Sequence, residues 1–143
     1  MKSFNEQLGE SIYLVSHAWR TELDRRLRPL GFSHSRWLLL LQLSRNDGCT
    51  HSQLAQFMGI EAPTLGRLVD HMEKEALVKR CISETDHRVK HLYLTDAGKQ
   101  VVETIRSYAT DLRREAMSGL KASEVKAALS VLKFIRGKLE ASR

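Results

Sequence analysis

Two arginines stand where a guanidinium could read a polyanion: Arg67 in Ala62-Pro63-Thr64-Leu65-Gly66-Arg67-Leu68-Val69-Asp70-His71, and Arg88 in Asp86-His87-Arg88. A guanidinium can donate two parallel hydrogen bonds to the O6 and N7 of guanine, a pairing that discriminates by about 1–3 kcal/mol. On a helix turning about 100° per residue, Leu65, Leu68, Val69, Met72 and Ala76 gather on one side. The other side presents Pro63, Arg67, Asp70 and Lys74, flanked by Thr64 and His71, and Gly66 adds no bulk that would hold a groove edge away. The plain alternative for Arg67 is a surface ion pair with Asp70, worth about 0.2–0.5 kcal/mol.

Asp86-x-Arg88 is the second constellation. An arginine on a projecting loop suits a narrow minor groove, where the negative potential is strongest. A carboxylate two residues earlier can orient the guanidinium by hydrogen bonding. Lys90 and the Lys79-Arg80 pair could meet phosphates nearby. Taken alone, an Asp-x-Arg is more often an ordinary solvated turn. Cys81 reads as a small buried strand residue before it reads as a redox switch, and Cys81, His87 and His91 match no standard zinc spacing. There is no Gly-rich phosphate loop, no Gly-x-Ser-x-Gly and no His-Glu-x-x-His, so catalysis is the least supported reading, and no cofactor is expected.

Helical spacing dominates the elements that must position these residues. Leu8, Ile12, Val15, Trp19, Leu23 and Leu27 step by three or four, predicting one long amphipathic helix that ends near Pro29 and Gly31. Ser33 is positioned to cap a second helix carrying Trp37 and four consecutive leucines, and Asn46-Asp47-Gly48 stops it. Thr50 and Gln53 have capping-box spacing for a short helix that Gly59 ends. Pro63 suits the first turn of the next helix, which is expected to reach about Ala76. The two short helices read as helix-turn-helix. Strand-like stretches at 77–83 and 89–94 flank a polar turn and make a hairpin, or wing. Thr95 is placed to cap a long helix through Val102, Ile105 and Leu112, and Ser123 a last one.

The 143 residues are enough for one domain, and with 42% hydrophobic and 28% charged residues the chain is expected to fold as an ordinary globular protein. Two cysteines exclude a disulfide framework. The first residues are too polar for a signal peptide and Trp37–Leu43 is too short to span a bilayer, so a cytoplasmic protein without a membrane partner is expected. The net charge is +6, yet residues 61–91 hold six basic and six acidic side chains. Nucleic-acid binding there must depend on where a few cations are placed. The apolar stripes of the first and last helices are long for one small core, and a second subunit is expected to bury part of them.

Asp86-His87-Arg88 followed by Leu94-Thr95-Asp96-Ala97-Gly98 resembles the wing signature of MarR/SlyA transcriptional regulators. Gln53-Leu54-Ala55, Ile60 to Val69, and Leu77-Val78-Lys79-Arg80 are similar to the SlyA branch, so the resemblance covers nearly the whole chain. It implies a mainly α winged helix-turn-helix homodimer, with a DNA-binding region at 33–97 and a helical dimerisation region at 1–32 and 98–143. By position, Pro63, Thr64 and Arg67 would meet the major groove of double-stranded DNA, with His71 beside them. Arg88, oriented by Asp86, would enter the minor groove, and Lys90, Ser52 and Gln53 would hold phosphates. His87 stands where many members have a second arginine. The family also implies a pocket for a small aromatic carboxylate effector, for which His17, Arg20 and Trp37 are candidate lining residues. The favoured plain reading has Trp37 in the core and Arg20 as a surface charge.

The expected function is therefore sequence-specific control of transcription, as a repressor or anti-silencer, on a pseudopalindromic operator, with release by a small aromatic anion. The rival is a winged-helix protein-interaction module that uses the same face without specific DNA binding. Balanced charge over 61–91 keeps that rival open.

Overall fold

The computed structural model describes residues 1–142, so Arg143, the last residue of the expected dimerisation region, lies outside the described residues. The chain divides into two compact units, residues 1–110 and 111–143.

The first unit opens with α1 (Phe4–Leu27). Ser3 accepts from the Glu6 N–H and the Glu6 carboxylate accepts from Ser3, so both ends of a capping box are made. A 3-10 turn at Arg28–Leu30 follows, and Gly31, at φ 87°, reverses the chain. α2 (His34–Arg45) buries Trp37, Leu39, Leu40 and Leu43, while Leu38 and Leu41 are half-buried. Ser33 stands at its N-cap position, yet the Ser33 hydroxyl makes no cap hydrogen bond; the turn is closed by the Trp37 N–H on the Ser33 carbonyl at 3.0 Å. α3 (His51–Met58) begins with the Thr50–Gln53 box, at 2.9 and 3.2 Å. Gly59 caps it at φ 67°.

α4 (Ala62–Lys74) carries Pro63 in its first turn and buries Leu65, Val69 and Met72. It stops two residues short of Ala76, which is exposed in the left-handed region at φ 60° instead of facing the core. The carbonyl of Ala76 accepts from the Thr95 hydroxyl at 2.6 Å, and that same hydroxyl oxygen accepts from the Gly98 N–H at 3.0 Å. One threonine thus anchors the exit of α4 and caps α5 (Asp96–Ala116). Gly98 is buried so close to Leu77 that an added Cβ would lie 2.1 Å from the Leu77 carbonyl oxygen. This is the physical content of the Leu-Thr-x-x-Gly spacing.

The wing pairs β1 (Val78–Ile82) with β2 (Lys90–Leu94) in antiparallel register, Arg80 opposite Leu92 and Cys81 opposite His91. A third rung joins it. Thr50 bridges His91, Gly48 donates to the Leu92 carbonyl, and Leu92 donates to that of Cys49, both at 2.8 Å. The Asp47 carboxylate accepts from the Leu94 N–H. The turn before α3 is thereby stitched to the far strand of the wing.

The second unit consists of the end of α5, a turn with Gly119 at φ 89°, and α6 (Ala122–Ala141). Ser123 does not cap α6. The helix begins one residue earlier, where the Glu124 carboxylate accepts from the Lys121 N–H at 3.0 Å. No residue of α6 is buried, and Val125, Leu129, Leu132 and Leu139 are exposed. In the first unit, Phe4, Leu8, Ile12, Leu14 and Val15 of α1 are exposed as well. No helix among the described residues is long and apolar enough to cross a membrane.

Candidate nucleic-acid interface

Burial of Leu65, Val69 and Met72 turns the opposite face of α4 to solvent, and there Pro63, Thr64, Arg67 and His71 are all exposed. Arg67 makes one long contact, Nη2 to Thr64 Oγ1 at 3.5 Å. It does not pair with Asp70. The Asp70 carboxylate instead accepts from Arg80 Nη1 at 2.6 Å, and that bond holds its carboxyl below the usual 3.8. No carboxylate lies within salt-bridge distance of Arg67 among the described residues.

At the tip of the wing, Asp86 Oδ1 accepts from the Arg88 backbone N–H at 3.0 Å and from Nε at 3.2 Å, while Oδ2 accepts from Nη2 at 3.3 Å. Those hydrogen bonds keep the Asp86 carboxyl below its ordinary value. Arg88 is nonetheless 90% accessible, so the pair aims the guanidinium without hiding it.

Ser52 and Gln53 are exposed in the first turn of α3. The Gln53 amide oxygen is committed to the Thr50 cap, which leaves its NH2 to donate outward. Between this turn, the start of α4 and the wing lies an open concavity of about 350 Å³, lined by His51, Ala62, Gly66, Arg80, Arg88 and Lys90. Burial pushes the His51 imidazole below 6.5, the Arg80 and Lys90 charges push it further, and Asp70 opposes them.

Arg80 departs from its expected role beside Lys79. Its guanidinium bonds Asp70, Glu73, the Gly66 carbonyl and His51 Nε2, so Arg80 braces the wing against α3 and α4. Strand alternation carries a signal for this, because Arg80 falls on the same face of β1 as buried Val78. His51, absent from the residues singled out by spacing, carries no local signal, since its partner is 29 residues away. Cys81 is exposed rather than buried, and Cys49 is the buried thiol.

Of the three candidate effector-lining residues, Arg20 borders an open cavity of about 380 Å³ shared with His34, Ser35, Met58, Thr64, Arg67 and His71. Trp37 is core, 5% exposed, with Nε1 donating to Asp24 at 3.4 Å and its ring edge-on to His34. His17 is exposed and stacked on Tyr13.

The MarR family profile matches residues 30–89, the stretch from the end of the 3-10 turn to the foot of β2. Among solved structures, transcriptional regulator PA3341 is 41% identical, over 94% of this chain and 98% of that one, with a TM-score of 0.82. A point mutant of MarR from E. coli, complexed with operator DNA, is 25% identical over 94% and 99%, with a TM-score of 0.76. SlyA shares the fold, with a TM-score of 0.80 at 18% identity over 94% and 95%. With the helix-turn-helix, the two-stranded wing and these likenesses in agreement, the chain belongs to the MarR family of DNA-binding winged-helix transcriptional regulators, which are not enzymes.

Proposed function

We propose that the chain works as a homodimer on a pseudopalindromic operator, acts there as a repressor or anti-silencer of transcription, and is released by a small aromatic anion. The observation that carries the reading is the state of Arg67: exposed on the groove-facing side of α4, with no carboxylate partner among the described residues, while Arg88 projects from the wing. Arg67 and Thr64, with Pro63 and His71 beside them, would read base edges in the major groove. Arg88, aimed by Asp86, would enter the minor groove, and Lys90, Ser52 and Gln53 would hold phosphates.

Residues 33–97 form the DNA-binding part in this reading, and 1–32 with 98–143 the dimerising part. The exposed apolar residues of α1, and separately those of α6, support dimerisation, because faces of that kind are ordinarily covered. A twofold would set the two recognition helices about 34 Å apart, one turn of DNA. The 380 Å³ cavity supports anion control, since Arg20 supplies a cation and Arg67 and Thr64 are shared with the DNA-reading face. An anion held there would compete with DNA for Arg67.

The test is selection of genomic fragments by the purified protein at about physiological salt, where non-specific binding is weak, followed by sequencing. Enrichment of one imperfect palindrome with half-sites about 10 base pairs apart is expected. A folded dimer that enriches nothing, or a partner protein bound without salt dependence, would favour the protein-interaction module.

A further inference from the structure

We propose that Arg80 is a positioning residue for DNA reading: by drawing Asp70 onto the wing it keeps Arg67 free to meet bases. The inference rests on the role proposed above for Arg67. Arg67 and Asp70 are three residues apart on α4, where side chains are neighbours on the helix surface and an Arg–Asp pair forms readily. In the structure that pair is absent. Arg80 Nη1 holds Asp70 Oδ1 at 2.6 Å and Glu73 Oε1 at 3.1 Å, Nη2 holds the Gly66 carbonyl at 3.1 Å, and Nε donates to His51 Nε2 at 3.2 Å. The Arg80 backbone N–H adds a bond to Glu73 Oε2 at 3.3 Å.

All three guanidinium nitrogens are thus engaged within the chain, and the side chain is only 17% accessible. A cation meant for phosphate would keep donors pointing outward; this one spends them on α4 and on His51 of α3. Two consequences follow. The carboxylate that competes for Arg67 is held elsewhere. Arg80 also offsets one of the two negative charges that Asp70 and Glu73 place on a helix meant to approach phosphates. With basic and acidic residues equal over 61–91, which charges pair with one another, and not their sum, decides which cations the reading face presents.

Arg80→Gln is expected to release Asp70 to Arg67 and lower the preference for the selected operator fragment over a scrambled duplex by roughly tenfold, the scale of a lost charge-assisted hydrogen bond. Adding Asp70→Asn to Arg80→Gln should restore most of that preference, because the competing carboxylate is gone. A brace with a purely structural role would not be rescued, since Asn at position 70 restores none of the charged bonds that Arg80 makes.

The DNA-free arm is NMR of the Arg67 side-chain Nε–H, assigned with Arg67→Lys. The signal should shift in Arg80→Gln and return in the double variant, whether or not an operator has been recovered. Failure to find an operator would therefore count against the DNA reading alone, while an unmoved Arg67 signal would overturn the role of Arg80. An unrescued loss of operator preference in the double variant would overturn it too. If Arg80→Gln does not fold, Arg80→Lys keeps the charge without the fork. It should keep the operator preference, and a loss that Asp70→Asn does not relieve would count against the proposal.

Discussion

The carboxylate of Asp86 holds Arg88 at three points, the backbone N–H, Nε and Nη2, within 3.0 to 3.3 Å, while the guanidinium stays in solvent. The wing tip therefore carries a cation whose direction is set before any partner arrives, which lowers the ordering cost of binding.

Substituting Arg88 by Ala is expected to weaken binding more on operators with A/T-rich flanks than on G/C-rich ones, since narrow A/T grooves concentrate negative potential. Asp86→Ala should cost less, roughly 1 kcal/mol, as it removes the orienting bonds and leaves the charge. Titrations of both variants on the two flank types check this, and equal losses on both would reject the minor-groove role.

Arg67→Ala should cost about 1–3 kcal/mol on the selected operator and flatten the preference at one base pair per half-site. Binding of a panel of single-base operator variants measures it. A variant that bound as tightly and as selectively as the parent would remove Arg67 from base reading.

Two glycines should respond oppositely to the same change. At Gly98 a methyl would meet the Leu77 carbonyl oxygen, so Gly98→Ala should destabilise by about 1–3 kcal/mol. At Gly66, inside α4, a Cβ meets nothing, and Ala should stabilise by up to about 1 kcal/mol through helix propensity. Urea denaturation of the two variants decides it; a loss at Gly66 equal to that at Gly98 would contradict the packing described.

Acid should weaken the fold before the carboxylates titrate. His34 is pushed below 6.5 by burial and then by Arg20, and His51 by burial and then by Arg80 and Lys90. As pH falls through 6.5 the unfolded chain binds protons that the folded imidazoles refuse. The unfolded state then holds more protons, so stability is full above that value and declines below it. For His51 the geometry agrees, because Nε2 already accepts from Arg80 and cannot take a proton without losing that bond. The paired carboxyls of Asp70 and Asp86 contribute only lower, being lost as pH falls below their ordinary 3.8. Denaturation midpoints between about pH 7.5 and 5.5 should fall less steeply for His34→Gln/His51→Gln than for the parent, and matching slopes would reject the assignment.

Much of this molecule is readable from order and spacing. The three-and-four stepping of α1, the Thr50–Gln53 box, Pro63 in a first turn, Gly59 at a helix end and the Asp86–Arg88 pair are local relations. Backbone geometry and near neighbours decide them, and the structure contains each one. A side chain with capping chemistry does not always cap. Ser33 and Ser123 have the chemistry of caps, yet one makes no cap bond and at the other the helix begins before it.

What the tertiary structure alone decided are the partners of long side chains. Asp70 had a neighbour three residues away and took one ten residues away, because β1 brings Arg80 to the flank of α4 with a second carboxylate and a carbonyl to share. Trp37 carries an aromatic face suited to a ligand, but packing of α2 beside Asp24 and His34 buried it. Ala76 leaves its helix in a left-handed turn closed by the Leu77 N–H on the Met72 carbonyl, and Thr95, nineteen residues on, takes its carbonyl. Periodicity states which face of an element is apolar; it carries no information on which other element that face meets, and a charge selects its partner only after the backbone has brought the choices together.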